Sequence, residues 1–493
     1  MKKIFFSFIV AFVFFQAFAQ AGHEKTVELT LGEAIARARV RSVDAAVALD
    51  DLRRAYWEYR IYRAELFPEI NFSATLPSYR RQYSAYMNSE GSYSFVRNNF
   101  MEMTGALSLS QNIWLTGGTL SLNTSFDFYR DFEQTNNRFM SIPVAITLNQ
   151  PLFAANRIKW DRRIEPERYA EAKAAFLSAT EEVAMTAISM YFDLLMAREN
   201  VAIASQNLAN ADKLYEVARE KRAMGQISEN DLLQMELNLL DAQSSLTERE
   251  SSLKSSMFSL RSFLEYDDDT ELMPSVPENL PPLEITYSDA LDRALANNKF
   301  ARNVRRRQLE ADYAVAKAKG EQREINLFAQ VGYTGTSNEF AQAYQGLRGN
   351  QVVEVGVRVP ILDWGRRRGA VKVAESNRRA VESRLRRETM NFNQDLFILV
   401  ERFCSQQRQL DIACRADTIA RKRYATNVET FMIGRISTLD LNDSQVKKDE
   451  SRRSMISELY RFWYYYYQIR SITLWDYAAG CDIDADFDRI ING

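Results

Sequence analysis

The sequence contains only three cysteines and one histidine in 493 residues. Cys404 and Cys414 lie ten residues apart, and a helix would separate them by roughly 15 Å, beyond disulfide reach. Because the cysteine count is odd and no CxxC spacing occurs, we expect neither a disulfide framework nor a metal site. There is also no P-loop, and His23 has no partner set of catalytic residues. We therefore expect a protein that is not an enzyme and uses no cofactor.

Long apolar runs are also missing. The apolar run from Ile4 to Phe15 follows two lysines, is too short to span a bilayer, and is followed by Ala17-Phe18-Ala19. This arrangement predicts a signal peptide, residues 1–19, which is cleaved before Gln20 on export. No later run reaches the length of a membrane-spanning helix, so we expect any membrane span to be made of β-strands.

Excess charge of one sign is absent as well. The chain has 63 basic and 65 acidic residues. This balance gives no indication that the protein binds nucleic acid or an anionic membrane. Ala, Leu, Glu and Arg dominate much of the sequence, and this composition favours long helices.

Heptad repeats predict a long helical hairpin. A leucine seam begins just after the turn Met224–Ser228, and an earlier seam precedes that turn. Residues seven apart lie on one side of a helix, so two such seams predict coiled-coil packing. The later seam is Leu232, Leu239, Leu246, Leu253 and Leu260, and the earlier one is Leu194, Val201, Leu208 and Tyr215. No basic region precedes the leucines, which excludes a leucine-zipper DNA-binding protein.

Four segments near the N-terminus alternate between apolar residues and Ser, Thr or Asn. They are Ile70–Leu76, Leu107–Ile113, Leu120–Phe128 and Val144–Leu148. A period of two predicts β-strands. The pattern is compatible with a membrane barrel that has a polar lumen and with a sandwich that has one solvated face. The signal peptide favours the barrel.

The second half of the chain repeats the first. Gly434-x-Ile436-Ser437 follows Gly225-x-Ile227-Ser228 by 209 residues, and valines alternate again from Val353 to Val359. We predict five segments: a signal peptide (1–19), a first repeat (20–273), a proline-rich linker (274–283), a second repeat (284–475) and a C-terminal tail (476–493). The first repeat has one helix, about four strands and a helical hairpin with its tip near 225. The second has one helix, two strands and a hairpin with its tip near 434.

This order of elements resembles the TolC family of outer membrane efflux channels, the outer membrane factors. The segments that carry the resemblance are Leu29–Ile35, Gln150–Phe153, Pro360–Gly365 and the two glycine turns. The resemblance implies a mainly α fold with a β-barrel portion. Long coiled-coil hairpins would form an α-barrel in the periplasm, and trimerisation would complete a barrel of transmembrane β-strands. The usual family count is four strands per subunit, and this chain offers about six. Either the barrel is larger, or residues 115–140 form an external loop or hairpin.

The resemblance also implies a function. The protein would be a homotrimeric, passive exit duct in the cell outer membrane, part of a tripartite efflux or type I secretion system. Its partners would be a periplasmic adaptor, an inner-membrane transporter and outer membrane lipid, with no role for nucleic acid. The alternative is a periplasmic coiled-coil adaptor or structural protein that never enters the membrane.

Candidate site residues lie at the hairpin tips. Asp440 and Asp443 are three apart and share a helix face, and Asp231 takes the place of Asp440 in the first half. By resemblance these three would form an acidic periplasmic gate. Arg435 is a candidate ion-pair partner and Phe431 would line the same mouth. The alternative is that Asp at a helix start only caps free N–H groups. By resemblance, the turns at Gly225 and Gly434 would dock the adaptor; the alternative is that glycine merely closes a tight turn.

Overall fold

A computed structural model describes residues 25–87, 89, 91–133, 136–277, 281, 283–358, 362–432, 435–436 and 438–492. The predicted signal peptide lies outside these ranges, as does Gly434. The chain divides into two compact units. We call residues up to 53, 172–301 and those from 390 onward the helical unit, and residues 54–171 and 302–389 the sheet unit.

The described residues form helices and strands, which are numbered here in chain order. The helices are α1 (Leu31–Arg41), α2 (Val43–Ala64), α3 (Arg157–Ala223), α4 (Glu229–Phe263), α5 (Tyr287–Asn297), α6 (Lys299–Gly320), α7 (Arg366–Met432), α8 (Thr438–Thr473) and α9 (Phe487–Asn492). The strands are β1 (Lys25–Leu29), β2 (Glu69–Met87), β3 (Tyr93–Asn112), β4 (Thr119–Asp131), β5 (Asn136–Pro151), β6 (Thr270–Pro274), β7 (Glu324–Ser337), β8 (Arg348–Arg358), β9 (Trp475–Asp476) and β10 (Cys481–Asp482). Among the described helices, none contains a stretch long and apolar enough to cross a bilayer.

The sequence predicts a helix that opens within Val27–Ile35, with Thr30 and Glu33 as a capping box, and that continues to about Leu66. Helix α1 begins after Thr30, as this pattern predicts. The Thr30 side chain accepts a hydrogen bond from the Glu33 N–H, and the Glu33 carboxylate accepts one from the Thr30 N–H, which is a capping box. Two parts of the prediction are wrong, however. Val27 to Leu29 belong to β1, which pairs in parallel with β6. The predicted continuous helix also breaks at Ser42, whose hydroxyl accepts a hydrogen bond from the Ala45 N–H.

The sheet unit contains one antiparallel sheet of six strands in the order β2-β3-β4-β5-β7-β8. β4 lies between β3 and β5 and pairs with both along its length. The described strands of the segment 115–140 therefore belong to the sheet, and the interpretation of this segment as an external loop or hairpin is wrong. Only β2 and β8 have a free edge within the described sheet.

The two faces of this sheet differ in polarity. Residues that pair directly across antiparallel strands point to the same face. One row across five strands, which we call the apolar row, consists of Ile70, Leu109, Leu122, Ile146 and Val331. The opposite face carries the polar row of Ser110, Ser121, Thr147 and Gln330.

Most of the apolar row is exposed. Ile70, Leu122, Ile146 and Val331 keep between 42% and 69% of their surface accessible. No second sheet covers them among the described residues, because the other sheets have two strands each. The predicted alternation is confirmed, and the sandwich alternative is wrong.

The helical unit has a buried core to which α3, α4, α7 and α8 all contribute. The predicted seams lie on the less exposed sides of α3 and α4: Leu194 and Leu260 are fully buried, whereas Leu233 and Leu237 beside the second seam are exposed. Helix α3 also borders α8, because Glu199 forms an ion pair with Arg452 at 3.0 Å. This second neighbour of α3 was not predicted.

A buried ionic network joins α3 to the end of α8 in the helical unit. The Arg470 guanidinium lies 3.1 Å from Glu181 and 2.7 Å from Asp476, and Arg39 also pairs with Glu181. The Tyr466 hydroxyl donates to Asp476 at 2.8 Å. Burial raises the pKa of Asp476, but hydrogen bonds from Tyr466 and from backbone N–H groups outweigh it and lower the pKa overall. Since buried charges are tolerated only when they are paired, each member depends on the others.

Replacing Arg470 by methionine removes the shared partner of Glu181 and Asp476. We expect the free energy of unfolding to fall by about 3–5 kcal/mol, because one buried charge is left without its counterion. Circular dichroism during heating of the detergent-solubilised protein measures this loss. As a control, Arg415→Met breaks only an exposed pair with Asp411, and we expect a change below about 0.5 kcal/mol. Equal effects of the two substitutions would contradict the prediction.

Candidate functional site at the hairpin tips

The first hairpin tip is a glycine-terminated helix end. The Gln226 N–H bonds to the Lys221 carbonyl at 2.9 Å and the Gly225 N–H bonds to the Arg222 carbonyl at 2.9 Å. These two bonds define a Schellman motif, in which the residue after the helix adopts a left-handed conformation. Gly225 has φ +70° and its Cα faces open space. The positive φ therefore favours glycine at this turn, and no neighbouring atom lies close to the position that a side chain would take.

Asp231 caps the helix that leaves this tip. Its carboxylate accepts hydrogen bonds from the Ser228 hydroxyl at 2.7 Å and from the Ser228 N–H at 3.1 Å, and the Ser228 side chain accepts from the Asp231 N–H. The hydrogen bond from the Ser228 hydroxyl, followed by the backbone one, lowers the pKa of Asp231. Asp231 thus caps this helix, and its carboxylate stays ionised and exposed.

The second tip repeats one feature of the first. The Arg435 N–H bonds to the Thr430 carbonyl at 3.1 Å, the same five-residue separation as in the bond from Gln226 to Lys221. Gly434 lies outside the described residues, and so does the side chain of Phe431. Arg435 is exposed.

The two aspartates of the second tip lie at the start of α8, with Asp440 in its first turn. The Asp443 carboxylate forms an ion pair with Arg423 of α7 at 2.8 Å, and Asn427 approaches the Asp440 carbonyl at 3.5 Å. Asp443 and Arg423 are both about half exposed. The structure therefore pairs Asp443 with a residue on the opposite arm of the hairpin.

Arg423 was missed by sequence reasoning, although a signal for it exists. Arg423 of α7 faces Asp443 of α8, and Asn427, nearer the tip, faces the Asp440 backbone, so the two arms run antiparallel away from the turn. In an antiparallel hairpin, residues equally distant from the turn face each other. A search for opposite charges at mirrored positions would have found this pair.

The electrostatics of this tip suit a contact that breaks easily. An exposed ion pair contributes about 0.2–1 kcal/mol, because water screens both partners. One turn further along α8, Lys447 pairs with Glu450, which raises the pKa of Lys447. Nowhere in the described ranges do three or more His, Cys, Asp or Glu side chains form a group that could hold a metal ion.

Comparisons with known proteins agree with this architecture. Residues 34–264 match the family model of the outer membrane efflux proteins. No curated protein matches the sequence.

Several solved structures are similar over nearly the whole chain. The CmeC outer membrane channel of Campylobacter jejuni has a TM-score of 0.64 at 15% identity and covers 94% of this chain and 88% of its own. VceC, an outer membrane protein of Vibrio cholerae, has a TM-score of 0.61 at 14% identity, covering 92% of this chain and 97% of its own. The open MtrE channel of Neisseria gonorrhoeae has a TM-score of 0.58 at 14% identity, covering 92% and 91%.

At such low identity the similarity to solved structures supports the fold only. The match to the family model is the evidence that comes from the sequence. The two agree with the resemblance drawn from the strand exits and glycine turns. The predicted resemblance is therefore confirmed: residues 34–264 match the family model of the outer membrane efflux proteins, and the chain is similar in fold to outer membrane channels.

Proposed function

We propose that this protein is a passive exit channel in the outer membrane, through which substrates supplied by an inner-membrane transporter leave the cell. The observation that carries the proposal is the exposed apolar row, which crosses five strands with a polar row behind it. Such a sheet suits lipid on one face and a water-filled lumen on the other. A periplasmic adaptor has no need of an uncovered apolar face.

The free edges of the sheet support assembly into a trimer. In lipid the unpaired N–H and C=O groups of β2 and β8 have no water to bond, so an open sheet is not tolerated there. β2 and β8 run in opposite directions, so β8 of one copy can pair antiparallel with β2 of the next. Six strands from each of three copies give a barrel of 18 strands. Because barrel diameter grows with strand number, this pore is wider than one built from four strands per subunit.

The helical hairpins supply the periplasmic part of the channel. We assign adaptor docking to the two tips at Gly225 and Gly434, where the first tip presents an open surface. The two-repeat organisation, the signal peptide and its cleavage before Gln20 remain predictions that fit this role. The channel carries out no catalysis, and its energy comes from the partner transporter.

The gate consists of Asp440, Asp443 and Asp231, with Phe431 and Arg435 at the same mouth. We add Arg423, whose ion pair with Asp443 ties the two arms of the second hairpin. Three copies of this exposed pair hold the gate with roughly 0.6–3 kcal/mol in total, a barrier that a docking partner can overcome. The ring of carboxylates favours cations.

A charged substitution on the apolar row tests membrane insertion. We expect Ile146→Lys to destabilise the inserted protein by about 2–4 kcal/mol, because it places an ammonium group among acyl chains. Thr147→Lys is the matched control, since its side chain lies in the polar row of the same strand. Outer membrane yield and resistance of the trimer to heating in detergent measure the effect. Equal tolerance of both lysines, or a protein recovered from the soluble periplasm, would favour the adaptor alternative.

Disulfide trapping tests the closure of the barrel. In a background with Cys404, Cys414 and Cys481 replaced, Phe72→Cys on β2 is combined in turn with cysteine at Gln351, Val353 or Val355 on β8. We expect one register to give a covalent trimer on a denaturing gel, because the two edges meet between copies.

The matched control pairs Phe72→Cys with Leu122→Cys. Leu122 lies on β4, which β3 and β5 flank on both sides, so this pair should give no bond between copies. Monomers from all three β8 registers, or ladders longer than a trimer, would contradict the closed barrel.

Charge removal tests the gate. We expect Asp440→Ala combined with Asp443→Ala to raise single-channel conductance in planar bilayers by about twofold or more and to reduce cation selectivity. Arg423→Ala should also raise conductance, since it breaks the same tie while keeping the acidic ring. Asp395→Ala with Asp411→Ala is the control, which removes the same charge from α7 away from the tip. If conductance and selectivity stay unchanged in the aspartate double variant, the acidic ring has no role.

A further inference from the structure

The sheet has one end at which it meets all its helices. At this helix end, β2 starts and β3 ends beside each other, β5 ends beside the start of β7, and β7 starts beside the end of β8. The connections to α2, α3, α6 and α7 leave from the same level. Hydrogen bonds fix these connections to one another: Asn112 donates to the Glu65 carbonyl and Asn156 donates to the Trp114 carbonyl.

The connections at the helix end expose large apolar side chains. Each of them keeps about half or more of its surface accessible, and Trp364 keeps 90%. A ring of apolar residues around one level of a sheet is typical of an interface with a membrane or a partner. The exposed residues are Phe67, Trp114, Leu115, Leu152, Phe153, Leu362 and Trp364.

Basic side chains lie immediately beyond this apolar ring, at the starts of α3 and α7. Neither helix has an acidic residue in its first turn, although negative charge is the favourable choice there. Within the described residues, Lys159, Arg163, Arg366 and Arg368 are exposed and form no salt bridge. Exposed cations that form no salt bridge mark a surface that suits an anionic partner.

The local backbone fixes the most exposed residue of the ring beside these arginines. The Asp363 carboxylate accepts hydrogen bonds from the Gly365 N–H at 3.0 Å and from the Arg367 N–H at 3.1 Å. Trp364 is held at φ +54°. This left-handed backbone conformation is energetically unfavourable for a residue with a large side chain. Arg367 donates to the Glu321 carbonyl at 2.8 Å, which ties this turn to the end of α6. The strained turn therefore keeps a tryptophan outside the protein and three consecutive arginines next to it.

We propose that the helix end of the sheet binds anionic phospholipids, with Lys159, Arg163, Arg366 and Arg368 on the headgroup phosphates and Trp364 among the upper acyl chains. The proposal rests on the proposed function, because it requires the sheet to lie in a bilayer. The two chemistries lie in the order that a leaflet presents, with apolar side chains toward the sheet and cations toward the helices. A soluble anion would match the cations but would leave the apolar ring in water.

Spin-labelled lipids test this preference in the full-length protein. The protein is reconstituted into phosphatidylcholine vesicles with a trace of spin-labelled phosphatidylglycerol or spin-labelled phosphatidylcholine, and the motionally restricted fraction of each label is measured. We expect phosphatidylglycerol to be favoured about fivefold or more and the preference to shrink at high salt. Arg366→Gln with Arg368→Gln should reduce the preference toward one.

Two further variants separate a local site from general attraction. Arg366→Lys with Arg368→Lys keeps the charge and should keep the preference. Arg130→Gln with Arg348→Gln removes the same charge from the opposite end of the sheet and should also leave the preference intact. Equal restriction of both lipids by the unmodified protein, or an equal loss in both glutamine variants, overturns the proposal. A complete absence of restricted lipid instead means that the sheet does not enter the bilayer, and then the proposed function itself fails.

Discussion

Unpaired backbone groups on the two edge strands are the constraint on which the rest of the molecule depends. The apolar row favours lipid as the neighbour of one sheet face, while the free edges of β2 and β8 forbid an isolated sheet in lipid. The proposed pairing of edges between copies satisfies both demands together. In this proposal membrane insertion therefore requires trimer formation, and trimer formation requires insertion. A single inserted sheet and a trimer outside the membrane are both unstable.

Local features of the fold were predicted from the sequence, whereas contacts between distant segments were not. The alternation in the strands and the capping box at Thr30 depend on residues a few positions apart, so the pattern alone predicts them. The pairing of β1 with β6 joins segments more than 200 residues apart, and no local pattern encodes such a partner. The break at Ser42 was missed for another reason: apolar residues continue across it, and only the hydroxyl that caps the next helix reveals the end.

For the candidate site, too, local motifs were predicted and a contact between two helices was not. The glycine turn at Gly225 and the acidic residue at Asp231 follow from short motifs, and the structure gives both a precise local purpose in ending one helix and starting the next. Capping does not compete with a role in gating, since a capped carboxylate is held ionised in a fixed place. The ion pair of Asp443 with Arg423 needed the hairpin geometry, because those residues lie on different helices.

The overall charge balance of the chain was misleading about membranes. With 63 basic and 65 acidic residues, composition predicts no attraction to an anionic surface, yet that sum carries no information about position. Within the part of the chain that the structure describes, the fold collects exposed cations that form no salt bridge at the helix end of the sheet, and it places an exposed tryptophan on a strained turn beside them. Electrostatic attraction decays within about 10 Å in salt, so a lipid headgroup responds to Arg366 and Arg368 nearby and not to the distant acidic residues that balance them. A near-neutral protein can therefore select anionic lipid at one level along its length.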